Sequence, residues 1–234
     1  KGTIPIRGPY PNLERFEKGV QSNPQYCDAE AAEDWAGSAK FPLLPAAPES
    51  VAAFNRMDES TRLSSESSWR AVPYQELNAT KDKTRDDGTT VIDTTDDPPD
   101  HYWPVYKGES YDIWNPDRGV YFGWADPDIV SDYLHEARAS SYQYAGSRSA
   151  FSDMSKEWIE DPGTLPCLSA RIVFRDVTRH ADSRTVRAAL IPPNRPVVHN
   201  SPALVWPEGD EIDEAYLLGI LSSMPLDWYS RRFA

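Results

Sequence analysis

Apolar positions in this chain fall into a few short periodic runs separated by long polar stretches. From Pro48 onward, Val51, Ala52, Phe54, Asn55 and Met57 follow helical spacing for two to three turns, before a Ser-rich stretch at 64–68. Asp126 and Pro127 supply an N-cap acceptor and a proline suited to the first helical position, and Ile129, Val130, Tyr133, Leu134 and Ala137 continue a helix. From Leu168 to Val177 the pattern alternates instead, with Leu168, Ala170, Ile172 and Phe174 on one face and Arg171, Val173 and Arg175 on the other. Arg184 to Ile191 alternates too, with Val186, Ala188 and Leu190 against Arg187. The two runs predict an antiparallel hairpin with its loop at Thr178–Ser183, placing Arg171, Arg175, Thr185 and Arg187 on the face opposite the core. Pro202–Trp206 predicts a further strand, and Asp213–Ser223 an amphipathic helix. Pro225 ends that helix and begins a second short one running to Arg231 and Arg232.

Between these runs, residues 1–47 are rich in proline and poor in periodic apolar positions, which predicts an irregular N-terminal arm before one larger domain at 48–234. The Thr- and Asp-rich segment from Lys81 to Asp100 reads as a long exposed loop. Pro104–Trp124 is dense in aromatics, with turn residues at Asn115, Pro116, Asp117 and Gly119, and reads as short strands joined by a turn. Tyr106 and Trp114 are expected in the core. No internal repeat is visible. The elements together predict an α+β fold, with an antiparallel or mixed sheet flanked by short helices.

Charge changes the picture. The 234 residues carry 24 Lys and Arg against 37 Asp and Glu, a net −13, which argues against a simple nucleic-acid binder because phosphate neutralisation supplies most non-specific affinity for DNA. The imbalance is uneven: Leu165–Asn200 holds six arginines (171, 175, 179, 184, 187, 195) against Asp176 and Asp182, leaving 18 cations against 35 acids elsewhere. A concentrated basic patch on an acidic body can dock DNA, particularly when a partner domain supplies the other basic wall. No apolar run approaches the roughly 20 residues that span a bilayer. The first residues lack an initiator Met and the apolar core of a secretory signal, so the ends read as cut or processed boundaries. Cys27 and Cys167, and the dispersed His101, His135, His180 and His199, support neither a disulfide framework nor a metal site, and a cytoplasmic protein is the default.

Candidate chemistry is absent at the level of motifs. An adenine-N6 methyltransferase needs a polar-Pro-Pro-aromatic loop to grip a flipped base. The double prolines here, Asp97-Pro98-Pro99-Asp100 and Ile191-Pro192-Pro193-Asn194, lack that form, and Gly119 and Gly123 sit in an aromatic strand region rather than a strand-to-helix turn. None of the seven lysines has an acid two residues before it, which excludes the usual acid-x-Lys pair of metal-dependent nucleases. Cys167 has no histidine nearby in sequence. No catalytic residue is assigned.

Particular strings are more informative: FPLLP at 41–45, ELNATKDK at 76–83, PVYKGE at 104–109, ARIVFRDVT at 170–178, DSRT at 182–185 and AYLLGILSS at 215–223. In this order and spacing they resemble the C-terminal part of type IIG-like restriction-modification methyltransferases, over roughly residues 41–232. The resemblance implies an α+β target-recognition domain that positions double-stranded DNA and reads bases, while a preceding methyltransferase domain of the same polypeptide, absent here, methylates an adenine. It implies S-adenosylmethionine, with or without magnesium, for that parent enzyme and no cofactor for this segment. DNA contacts are then expected from Arg171, Arg175, Arg179, Arg184, Arg187, Lys107, Lys81, Asn78 and Arg148. Shared strings are better candidates for positioning DNA than for discriminating bases, so specificity is expected between them, in Ser131–Glu160 with Arg138, Gln143, Arg148, Ser149 and Lys156. Asn78, Thr80 and Lys81 could equally cap a turn, and Arg231 with Arg232 could be either a phosphate clamp or the cationic end of a helix. The acid excess supports a competing reading, an acidic protein-interaction or DNA-mimic module.

Overall fold

Ile172 and Val173, neighbours in a strand and therefore directed to opposite faces, are both buried. Their strand is covered on two sides, and the fold is organised around it. The computed structural model describes residues 2–8, 10, 12–30, 32, 48–60, 71–179, 181–206 and 209–233. In chain order the elements begin with β1 (Thr3–Ile6), α1 (Leu13–Gly19), β2 (Gln25–Asp28), α2 (Pro48–Asp58), β3 (Val72–Tyr74), β4 (Trp103–Val105) and β5 (Gly123–Ala125). They continue with α3 (Pro127–Ala145), α4 (Lys156–Glu160), β6 (Arg171–Phe174), β7 (Ala188–Ile191), β8 (Ala203–Val205), α5 (Glu211–Leu221) and α6 (Met224–Ser230). Helices and antiparallel sheets combine into an α+β fold.

Contacts separate the chain into two units, Arg62–Ser223 and a smaller one of Lys1–Thr61 with Met224–Ala234, rather than dividing it at 47/48. In the smaller unit, the segment expected to be irregular carries regular structure. β1 pairs antiparallel with β2 from Thr3↔Asp28 to Ile6↔Gln25, and Asn12 caps α1 by accepting the Arg15 amide at 2.9 Å. Its core joins Cys27, Ala32 and Phe54 to Trp228, Tyr229 and Phe233. Apolar partners drawn from both ends of a chain leave no local periodicity, which is why the sequence pattern missed them. The FPLLP string at 41–45 lies outside the described residues.

The larger unit holds a four-stranded antiparallel sheet in the order β3-β8-β6-β7. The expected hairpin pairs Arg171↔Ile191 through Phe174↔Ala188. One face carries Val173, Ala189, Ile191 and Ala203, packed with Tyr106, Tyr111 and Val197. The other carries Ile172 and Ala188, against which α5 packs through Leu217 and Leu218. Asp126 caps α3 by accepting the Asp128 and Ile129 amides, as the sequence suggested. Asp210 caps α5 in a reciprocal capping box with Asp213.

β4 and β5 form a second, two-stranded ladder. The segment at 81–100 is not wholly exposed, because Val91 and Ile92 are buried in a core cluster with Val105, Val130 and Leu134. Asp93 exchanges both backbone hydrogen bonds with Trp124, at 2.8 and 2.7 Å. A Cβ on the adjacent Gly123 would lie 2.5 Å from the Asp93 carbonyl oxygen, so this close approach requires glycine.

Glu214 on α5 accepts the Ile172 amide at 3.0 Å. Burial raises its pKa above the ordinary 4.5, against the lowering pull of that amide and of Arg171. A carboxyl whose pKa is raised by folding costs stability once ionised, and the cost disappears below its unfolded-state pKa. Glu214→Gln keeps the acceptor and removes the charge. It is expected to raise the urea midpoint at pH 7, with the gain shrinking as pH falls through the raised folded-state pKa towards the ordinary 4.5 and absent below it; a gain that grows on acidification contradicts this assignment.

Candidate nucleic-acid interface

Arg171 and Glu76, 95 residues apart in sequence, meet in the interior of the larger unit. Their side chains are 5% and 2% exposed. Arg171 Nη2 donates to both carboxylate oxygens, at 2.8 and 2.7 Å, and to the Arg195 carbonyl at 3.0 Å. Glu76 also accepts the Tyr74 hydroxyl at 2.6 Å and the Val197 amide at 2.8 Å. Burial opposes the charge on Arg171, yet Glu76, with Tyr74 and Cys167, raises its pKa above the ordinary guanidinium value.

The solvent-facing ribbon of Arg171, Arg175, Thr185 and Arg187 is therefore not formed. Alternation placed these residues opposite one core, but the central strand has two: Tyr106, Tyr111 and Val197 cover the face that was expected to be open. Arg175 is half-buried, packs its stem on Gly108 and reaches the Tyr111 carbonyl at 3.4 Å. Arg187 pairs with Asp112 at 3.2 Å. Arg184 donates to the carbonyls of Ser222 and Ser223 beyond the end of α5. These four arginines tie the strings of the sequence resemblance to one another and to the loop after Glu109: 170–178 to 76–83, 170–178 to 104–109, and 182–185 to 215–223.

The remaining candidates lie nearer to solvent. Arg179 is exposed in the connection between β6 and β7, where its amide donates to Asp182 at 2.9 Å; His180 lies outside the described residues. Lys107 pairs with the exposed Glu109 at 2.9 Å. Asn78 accepts the Thr80 and Lys81 amides at 3.0 Å each, the turn-capping role, and leaves the Lys81 side chain exposed. In the segment expected to read bases, Arg138 is buried, donates to Thr164, Ile159 and Asp161 and lies over the Trp158 ring; Ser149 is buried as well. Gln143, Arg148 and Lys156 are exposed. In the smaller unit, Arg231 lies 3.9 Å from Asp227, and Arg232 lies over the Trp228 ring.

Trp114, expected in the core, is 73% exposed, whereas Tyr106 is fully buried. Asp112 and Asn115 exchange backbone hydrogen bonds at 2.8 and 2.9 Å, closing a four-residue turn that projects the indole. Trp114 occupies φ 61°, a left-handed conformation that is uncommon for a bulky side chain. The turn signals in the sequence were available, but aromatic density outweighed them.

A cavity of about 320 Å³ opens between β3 and α3, bordered by Tyr74, Glu76, Arg138, Arg148 and Cys167. Burial, followed by the nearby Glu76 charge, pushes the Cys167 thiol up to about 12, which favours its protonated form at neutral pH. Among the described residues, no group of three or more His, Cys, Asp or Glu could hold a metal ion, and no helix is long and apolar enough to cross a membrane. The space beside Gly123 is filled by the Asp93 backbone, and Gly119 opens to solvent. No protein-family model matches the chain, and neither does any curated protein or solved structure.

Removing one member of a buried ion pair strands the other in a dry interior, at a cost of about 3–5 kcal/mol. Arg171→Met and Glu76→Leu are each expected to lose about that much in urea unfolding, and the double substitution less than the sum of the two. Additive losses contradict the pairing.

Proposed function

We propose that the chain is a DNA target-recognition and positioning module of an adenine-N6 methyltransferase or restriction-modification enzyme. The observation that carries this reading is the mutual bonding of the resembling strings. In the larger unit Arg171 and Arg175 join 170–178 to 76–83 and to 104–109, and Arg184 joins 182–185 to 215–223, so five of the strings are bonded in two groups. The strings then serve as framework. Phosphate contact passes to the exposed cations Arg179, Lys81, Arg148 and Arg118 and to the half-buried Lys107 and Asn78, while Arg175 and Arg187 hold the loop. The partner is double-stranded DNA, and the chemistry, with S-adenosylmethionine and with or without magnesium, belongs to a methyltransferase domain of the same polypeptide. A cytoplasmic location goes with this reading.

One observation favours a second reading, the acidic interaction or DNA-mimic module. Asp86, Asp87, Asp96, Asp97 and Asp100 are all exposed within one segment of a chain with net charge −13.

The two readings separate in a fluorescence-anisotropy titration of the whole chain with duplex DNA over a range of salt. DNA recognition requires affinity that falls steeply with salt, and Arg179→Ala or Lys81→Ala is expected to reduce the logarithmic salt slope by about one each. No binding at low salt, together with capture of a basic protein, overturns the first reading in favour of the second.

A further inference from the structure

Trp114 combines three properties that rarely occur together. It is 73% exposed, so little of its apolar surface is buried in the fold. It sits at φ 61°, where glycine is favoured and a bulky residue is strained. Its turn is also fixed on both flanks: Asp112 is held by Arg187 at 3.2 Å, and Asn115 exchanges two backbone bonds with Asp112 before entering Pro116. Upstream, the loop is pinned by the Asn200 side chain, which accepts the Gly108 amide at 3.3 Å, and by Ser110, which accepts the Lys107 amide at 2.9 Å. A strained backbone with a solvent-directed aromatic is costly and persists where the side chain serves something outside the fold.

The surroundings favour one kind of occupant. Arg175, Arg187 and Arg195 converge on this loop from the distant 165–200 segment, where Arg175 reaches the Tyr111 carbonyl, Arg187 pairs with Asp112 and Arg195 lies near Asp117, while Asp182 faces Arg187 and Arg175. Lys107 pairs with Glu109, and with the exposed Arg118 the loop and its arginines set five cations against Glu109, Asp112, Asp117 and Asp182, a small positive balance on an acidic protein. Beside the turn, Trp114, Asn115, Pro116, Leu190 and Leu218 border a small cleft of about 170 Å³, a volume on the scale of a single flat ring rather than of a folded partner. We propose that Trp114 is a stacking contact for a nucleobase that has left its duplex stack. Rigid aromatics are inserted at such steps, and an enzyme that extrudes its target base creates one. This inference rests on the DNA-recognition reading and gives it a named contact residue.

The experiment compares the whole chain with Trp114→Ala, Trp114→Phe and Trp114→Gly. The probes are an intact duplex and the same duplex with a central abasic gap, both read by anisotropy, with thermal unfolding of each variant in parallel. Aromatic stacking on one base corresponds to about five- to hundredfold in affinity. Trp114→Ala and Trp114→Gly are expected to lose that much on the gapped duplex and much less on the intact one, while Trp114→Phe keeps most of the binding. Trp114→Gly is expected to unfold at the same temperature as wild type or higher, because it removes strain and little buried surface. That result separates a lost contact from a lost fold. Wild-type affinity for both probes in Trp114→Ala overturns the stacking role while the DNA reading stands. Failure of the wild type to bind either probe overturns both.

Discussion

The Arg171–Glu76 pair is the constraint to which the larger unit is built. Two buried charges are tolerated only when each finds a full set of partners. Glu76 therefore gathers a hydroxyl, a guanidinium and a backbone amide, from Tyr74, Arg171 and Val197, and Arg171 takes the Arg195 carbonyl besides. Three segments that have no reason to be adjacent are thereby placed within hydrogen-bond distance. The sheet order β3-β8-β6-β7 follows the same arrangement, with the strand before Glu76 at one edge and the strand bearing Arg171 inside.

A concentration of arginine on an acidic chain looks at first like an electrostatic footprint, yet here it has mainly an internal use. Guanidinium groups offer five donors in a planar fork and can satisfy carbonyls at helix ends and loops as readily as phosphates. Arg184 does so beyond α5, Arg138 at the turn after α4, and Arg175 at the 107–111 loop. What such a framework presents outward is a matter of loops, and the strained turn at 112–115 is its most conspicuous feature.

Much of the larger unit was legible from residue pattern because its elements follow local rules. The β6–β7 hairpin came from alternation, the start of α3 from Asp126 and Pro127, and β8 and α5 from short apolar runs. The faces were misread for a nameable reason. Alternation of arginine with valine in β6 matches a half-exposed strand, but a strand buried on both sides can carry the same pattern if each arginine has an internal partner. Glu76 gave no signal at all, because nothing in ELNATKDK distinguishes a buried acid from a solvated one. Trp114 was hidden by its aromatic neighbours, most of which do pack inward.

Glu76 takes its Val197 amide from 121 residues further along the chain. Contacts of such long range form slowly, because the intervening loop must be closed before any bond rewards it. On the ribosome, the hairpin of β6 and β7 can therefore pair while β3 still lacks its neighbour, and Glu76 stays hydrated until Arg171 and Val197 emerge. Synthesis stopped short of β8 would leave an open sheet edge and an unanchored carboxylate, a species suited to chaperones rather than to work.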